Sequence, residues 1–315
     1  MKRRASTAAR LGLVLAAATA AGAAAAPIPA QDVTVMRNVA FAERDGKPLR
    51  LDLYRPQVDR PVPFGIVIHG GGWRRGSRYH PDAIAMCRLL NATGIAAASV
   101  SYRLAPGAVY PAQIEDCRAA LQFLREHALD FGLDAQRVVA MGASAGGHLA
   151  ALLGTQDDSA DPAAPAPEHR QSTRPQCVVT FFAPSNILPS PTMTRRGERL
   201  VRAFLGRQGS GPEDIAVARQ ASPVCHVTAD DVPMLMVHGT EDHIVPLWHS
   251  REMTAALTTA GVAAELMEIP GGSHGDFVVR GVIELHRGGE APKFWTRAQR
   301  FMRRQLRLPA KDHRD

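Results

Sequence analysis

Cysteine is scarce in this chain: only Cys87, Cys117, Cys177 and Cys225 are present, and their spacing matches no zinc or iron–sulfur pattern. A cysteine-held metal is therefore not expected, and nothing else in the sequence implies a cofactor. No internal repeat is visible, which excludes solenoids and propellers. After residue 30 no stop-transfer segment follows, so the mature chain is not expected to insert stably in a membrane. The surplus of positive charge is also smaller than it looks. Residues 1–30 hold Lys2, Arg3, Arg4 and Arg10 and no acidic residue, so removing them lowers the formal charge from +7 to +3. What remains clusters at Arg297, Arg300, Arg303, Arg304 and Arg307 on a predicted helix, a pattern that fits a solvated face and not a nucleic-acid partner.

Residues 1–30 combine a basic start, the apolar run Leu11-Gly12-Leu13-Val14-Leu15 and an alanine-rich tract reaching Ala26. This is the layout of a secretory signal, with cleavage expected between Ala23 and Ala30 and an exported, periplasmic or secreted product. Residues 31–310 are then expected to form a single catalytic domain. Export would permit a Cys177–Cys225 bridge. Cys87 and Cys117 fall on the apolar faces of two predicted helices that would cover opposite sides of a sheet, so those two are not expected to pair.

Two strand patterns, 33–42 and 49–54, flank the turn Arg44-Asp45-Gly46-Lys47 and read as an antiparallel hairpin. Strands are then expected at 63–68, 95–100, 138–141, 177–182, 234–237 and 264–269, alternating with helices at 81–91, 112–128 and 247–260. Eight strands alternating in this way with helices predict a mostly parallel, doubly wound sheet. Residues 154–175 read as a surface loop. Residues 183–232 form a long excursion between strands, with a short helical pattern at 200–205, and are expected to wall a pocket.

The chemistry gathers at the ends of these strands. Gly142-Ala143-Ser144-Ala145-Gly146 follows one apolar strand and precedes a helix, which is the sequence of a nucleophile elbow. A serine hydroxyl needs a neighbouring base, and the base needs a carboxylate to fix its tautomer. His274, in Gly272-Ser273-His274-Gly275, and Asp242, in His238-Gly239-Thr240-Glu241-Asp242, are the candidates, with Glu241 and Asp276 as rival acids. His148, His238 and His243 are dismissed as bases from their positions. His69-Gly70-Gly71-Gly72-Trp73 leaves another strand, so the N–H groups of Gly71, Gly72 and Ala145 are candidate donors to an oxyanion. Trp73, Phe181 and Phe182 are the candidate pocket residues.

These motifs, with Tyr102-Arg103-Leu104-Ala105-Pro106, resemble an α/β-hydrolase esterase of the hormone-sensitive-lipase group. Within it, Ile114-Glu115-Asp116-Cys117-Arg118-Ala119-Ala120, Phe204-Leu205-Gly206 and Ala221-Ser222-Pro223-Val224 followed by Asp230-Asp231-Val232-Pro233 resemble the bifunctional feruloyl and acetyl-xylan esterase-like branch. The resemblance implies the α/β-hydrolase fold and hydrolysis of short or aromatic acyl esters, including those of plant polysaccharides. No long N-terminal helical cap is visible, so the site is expected to be open to bulky alcohols. Three alternatives stand beside this one. They are a kynurenine-formamidase-like amidohydrolase, an exopeptidase of the prolyl-oligopeptidase type, for whose gating domain the chain lacks room, and a non-catalytic binding module.

Overall fold

The computed structural model describes residues 33–156, 172–191, 193–207, 211–275, 278 and 292–309. The leader, most of the 154–175 loop and Asp276 lie outside the described residues. Eight strands form one sheet in the order β1-β2-β4-β3-β5-β6-β7-β8. They are β1 (Val33–Arg44), β2 (Lys47–Pro56), β3 (Val62–Ile68), β4 (Ala96–Val100), β5 (Leu133–Ala143), β6 (Cys177–Phe181), β7 (Met234–Gly239) and β8 (Ala264–Ile269). Strand β2 is antiparallel to both neighbours, β1 and β4, and every other pairing is parallel.

Side-chain alternation along the central strands sorts the core into two layers. Phe64, Ile66 and Ile68 of β3 face one layer with Val138 and Ala140 of β5 and Met234 and Met236 of β7. Over them lie α2 (Ala112–Glu126), α3 (Ala145–Thr155) and α6 (Trp248–Thr259). Val67, Val139, Met141, Leu235 and Val237 point the other way, under α1 (Pro81–Asn91) and the last described helix, Lys293–Gln305. Strands buried on both faces need apolar residues at nearly every position, which is why β3, β6 and β7 read as continuous apolar runs.

The excursion at 183–232 holds more structure than its sequence pattern suggested. It carries α4 (Arg195–Leu205) and α5 (Pro212–Gln220), followed by a 3-10 turn at Pro223–His226. Thr194 caps α4 by accepting a hydrogen bond from the Gly197 amide, and Gly206 ends it in the left-handed conformation. The helix Lys293–Gln305, α7, presents Arg297 and Arg304 to Glu265 of β8. None of the described helices is long and apolar enough to cross a membrane.

The Cys177–Cys225 bridge is not formed, and all four thiols are free. Cys177 points into the layer beneath α1 and α7, whereas the turn carrying Cys225 packs against α3 on the opposite side of the sheet. The separation of Cys87 and Cys117 onto opposite layers is as expected.

Candidate active site

Strand β5 runs five residues longer toward its start than the apolar pattern indicated, and it ends at the elbow. Ser144 sits there with φ +54° and ψ −123°, a region that costs an L-residue on the order of 1–3 kcal/mol and is held only by its surroundings. Those surroundings are close. A Cβ at Gly146 would lie 2.0 Å from the Ile68 carbonyl oxygen, and one at Gly142 would lie 2.3 Å from that of Gly146. Only glycine lets the elbow press against β3 in this way. The Ser144 amide donates to the Phe181 carbonyl at 2.9 Å, and the Ser144 carbonyl accepts from the His148 amide at 3.0 Å.

Loops after β7 and β8 bring the other two residues to this point. His274 Nε2 lies 3.0 Å from Ser144 Oγ, and His274 Nδ1 lies 2.7 Å from Asp242 Oδ2. The Asp242 carboxylate is fully buried, and its Oδ1 accepts the amides of Ile244 and Val245 at 2.8 and 2.9 Å. Burial works against the charged form of Asp242, but hydrogen bonds from His238 and His274 and the Val245 amide hold its pKa well below the usual carboxylate range. An ionised Asp242 requires Nδ1 of His274 to carry hydrogen, which leaves Nε2 free to accept the serine proton. The rival acid Glu241 is not the partner of His274, whose Nδ1 meets Asp242.

The glycine loop after β3 comes up beside the serine. Gly71 and Gly72 have φ of +112° and +61°, and a Cβ on Gly71 would meet the Arg75 carbonyl oxygen at 2.1 Å. Among the described residues, the N–H groups of Gly71, Gly72 and Ala145 have no hydrogen-bond acceptor. Unpaired amides beside a nucleophile are what a developing oxyanion needs.

Two histidines set aside as bases hold this frame in place. His148 is fully buried on α3, with Nε2 2.6 Å from the Ala221 carbonyl and Nδ1 3.3 Å from Trp73 Nε1. A carbonyl can only accept and an indole N–H can only donate, so His148 is the neutral Nε2–H tautomer. Burial lowers its pKa to about 4, in keeping with that state. It ties the elbow helix to the glycine loop and to the excursion. His238 lies under Asp242, with Nε2 2.8 Å from the Val245 carbonyl and 3.4 Å from Asp242 Oδ2 and with Nδ1 2.7 Å from Ser250 Oγ. The role of His148 was not readable from the sequence because its partners are remote in the chain, whereas those of His238 lie within twelve residues and are turned onto it only by the fold of the loop after β7.

The three expected pocket aromatics divide. Trp73 is 4% exposed, stacks on Phe204 of α4 at 4.4 Å and lines a small recess behind Ser144. Phe182 faces the cleft, with its ring centroid 4.7 Å from that of His274 in an edge-to-face arrangement. Phe181 does not line the pocket. As the last residue of β6 it shares the face of Cys177 and Val179 and packs edge-on against Phe294 of α7.

Two spaces meet at Ser144, Gly72, Leu200 and Ile244. The recess is about 50 Å³ and apolar, walled by Trp73, Ile187, Met193, Val201, Val245 and Pro246. The outer cleft is about 920 Å³ and opens to solvent. No cluster of three or more His, Cys, Asp or Glu side chains suited to a metal occurs among the described residues.

An eight-stranded sheet in this order, with a serine on the turn between β5 and α3 and the histidine and aspartate after the last two strands, defines an α/β-hydrolase. The chain belongs to the BD-FAE family, whose pattern matches residues 51–257. It is 30% identical to ethyl acetate hydrolase of Pseudomonas putida over 266 residues, 81% of this chain and 79% of that protein. It is 31% identical to esterase LipC of Mycobacterium tuberculosis over 71% of its own length. It spans 56% of LipC and 54% of the related esterase LipQ, little more than half of each. Among solved structures it resembles the thermophilic esterase Est2 of Thermogutta terrifontis in its butyrate-bound form. That likeness has 27% identity and a TM-score of 0.64, and covers 82% of this chain and 93% of that one.

Proposed function

We propose that the protein is an exported serine carboxylesterase that hydrolyses short acyl esters of bulky alcohols, acetyl esters of plant polysaccharides among them. The observation that carries this is the line of Ser144 Oγ, His274 and Asp242 at 3.0 and 2.7 Å, closing on a serine beside unpaired amides. Ser144 attacks the ester carbonyl while His274 Nε2 takes its proton and Asp242 stabilises the imidazolium. The oxyanion is received by the N–H groups of Gly71, Gly72 and Ala145. Collapse returns the proton to the departing alcohol and leaves an acyl-serine, which water then hydrolyses by the same steps.

The recess sets the acyl length. At about 10–15 Å³ for each water-sized group, 50 Å³ accommodates roughly three to five heavy atoms, which corresponds to acetyl through butyryl. The names of two relatives agree with that size, an ethyl acetate hydrolase and an esterase solved with butyrate bound. Export is supported by the basic and apolar leader pattern of residues 1–30.

A panel of p-nitrophenyl acetate, butyrate and decanoate, methyl ferulate and acetylated xylan, assayed with wild type and Ser144→Ala, tests the proposal. Hydrolysis of the short esters that the variant lacks is the expected result. Comparable rates in a well-folded Ser144→Ala protein would end it.

A further inference from the structure

Arg74 and Arg75 line one wall of the outer cleft, and Arg196 and Arg199 line another. The first pair follows the oxyanion glycines after Trp73. The second pair lies one helical turn apart on α4, the helix that sets Leu200 against Gly72. All four side chains are exposed, and among the described residues none has a carboxylate within ion-pair distance. Other arginines are spent differently: Arg78 closes on Asp52, Arg103 on Asp116, Arg174 on Asp231 and Arg202 on Glu198. Asp82 is the one carboxylate on the described cleft wall, 3.4 Å from His80 Nδ1. The cleft therefore presents a clear excess of fixed positive charge over the nucleophile.

A concave cleft lined by charge of one sign concentrates ligands of the other, and the guanidinium fork matches a carboxylate in shape. The side of the ester that carries the negative charge follows from the two spaces. The recess behind Ser144 is apolar and small, so the acyl group that enters it is neutral, and the alcohol lies in the cleft among the arginines. Resting on the esterase function proposed above, we infer that the site selects acyl esters whose alcohol carries a carboxylate, such as an acylated oligosaccharide bearing a uronic acid. The arginines hold the leaving alcohol and take no part in the chemistry at Ser144.

The test compares 3-acetoxybenzoate with its neutral methyl ester, each rate divided by its uncatalysed rate in hydroxide. The expected kcat/KM favours the carboxylate by about tenfold at low salt, carried by KM. It falls toward parity in about 0.5 M NaCl, where screening shortens the reach of charge to about 4 Å. The double variant Arg196→Gln, Arg199→Gln, at two exposed positions, lowers the ratio, and Arg196→Glu, Arg199→Glu inverts it. Monophenyl succinate, with its carboxylate on the acyl side, is expected to be the poorest of the three. Equal rates on 3-acetoxybenzoate and its methyl ester, or a ratio unmoved by salt and by both double variants, overturn the inference while leaving the esterase intact. Retention on phosphatidylserine vesicles together with equal rates overturns it in favour of a membrane-facing surface. Failure to hydrolyse any of the three refutes the esterase itself.

Discussion

Val201 stands between the recess behind Ser144 and a further cavity of about 530 Å³, and with Ile187 and Met193 it lines both. Replacing Val201 by alanine removes two methyl groups from that wall and leaves a better helix former on α4. In the wild type each CH₂ that finds apolar surface is worth about 0.8 kcal/mol, or roughly fourfold in kcat/KM. Two such groups, acetyl to butyryl, give about 1.6 kcal/mol, close to fifteenfold. Past the limit of the recess, overpacking of about 1–3 kcal/mol reverses the gain. With Val201→Ala the chain continues into the neighbouring cavity, so the optimum moves to hexanoyl or octanoyl and the hexanoate-to-butyrate ratio rises about tenfold or more. The assay is kcat/KM for p-nitrophenyl esters from acetate to decanoate. A wild-type profile rising monotonically to decanoate, or a Val201→Ala profile superimposable on the wild type, would refute the assignment of the recess to the acyl chain.

Asp242→Asn keeps the shape of the line but supplies an amide where His274 needs an acceptor, and kcat is expected to drop by about 10⁴; a loss below tenfold would move the role to another acid. Stability should also fall with acid before the carboxylates titrate. Burial pushes His69 and His148 down to about 4 and His249 to about 3, against about 6.5 in an unfolded chain. Between those values the unfolded chain holds protons that the folded one lacks, so the stabilisation is complete above about pH 6.5 and is lost as pH falls toward 4. At pH 5 the three together remove on the order of 6 kcal/mol, a large share of a domain's total. Urea unfolding at pH 7.5, 6 and 5 measures this, and equal stability at pH 7.5 and 5 would contradict it.

Much of this arrangement is local in sequence and was legible there. Gly142 and Gly146 around Ser144 mark the elbow because no other residue fits, Gly146 against β3 and Gly142 against the Gly146 carbonyl, and the ordered motifs carrying Asp242 and His274 follow apolar strands. What was hidden depends on how segments fold against one another. His148 looked like a spare histidine inside a helix, and its role needs Trp73 and Ala221, 75 and 73 residues away. His238 acquires its role only when the loops after β7 fold back over Asp242. Phe181 was misplaced for a different reason: alternation from Cys177 and Val179 puts it on the α7 side of the sheet, and an apolar run buried on both faces does not show which face adjoins the site. The helix α5 did carry a signal, Pro212 at its start with Glu213 and Asp214 in the first turn, inside a segment otherwise poor in apolar periodicity. The convergence of Arg74 and Arg75 with Arg196 and Arg199 has no sequence mark at all.

The central claim is that Ser144 is the nucleophile activated by His274. Its most direct test is stoichiometric labelling with a fluorophosphonate, followed by peptide mapping and residual activity on p-nitrophenyl acetate. The expected result is one phosphonyl group per chain, on Ser144 Oγ, with activity lost in proportion and labelling abolished in His274→Ala. Complete inactivation with the label on another residue, or full activity with Ser144 fully labelled, would contradict it.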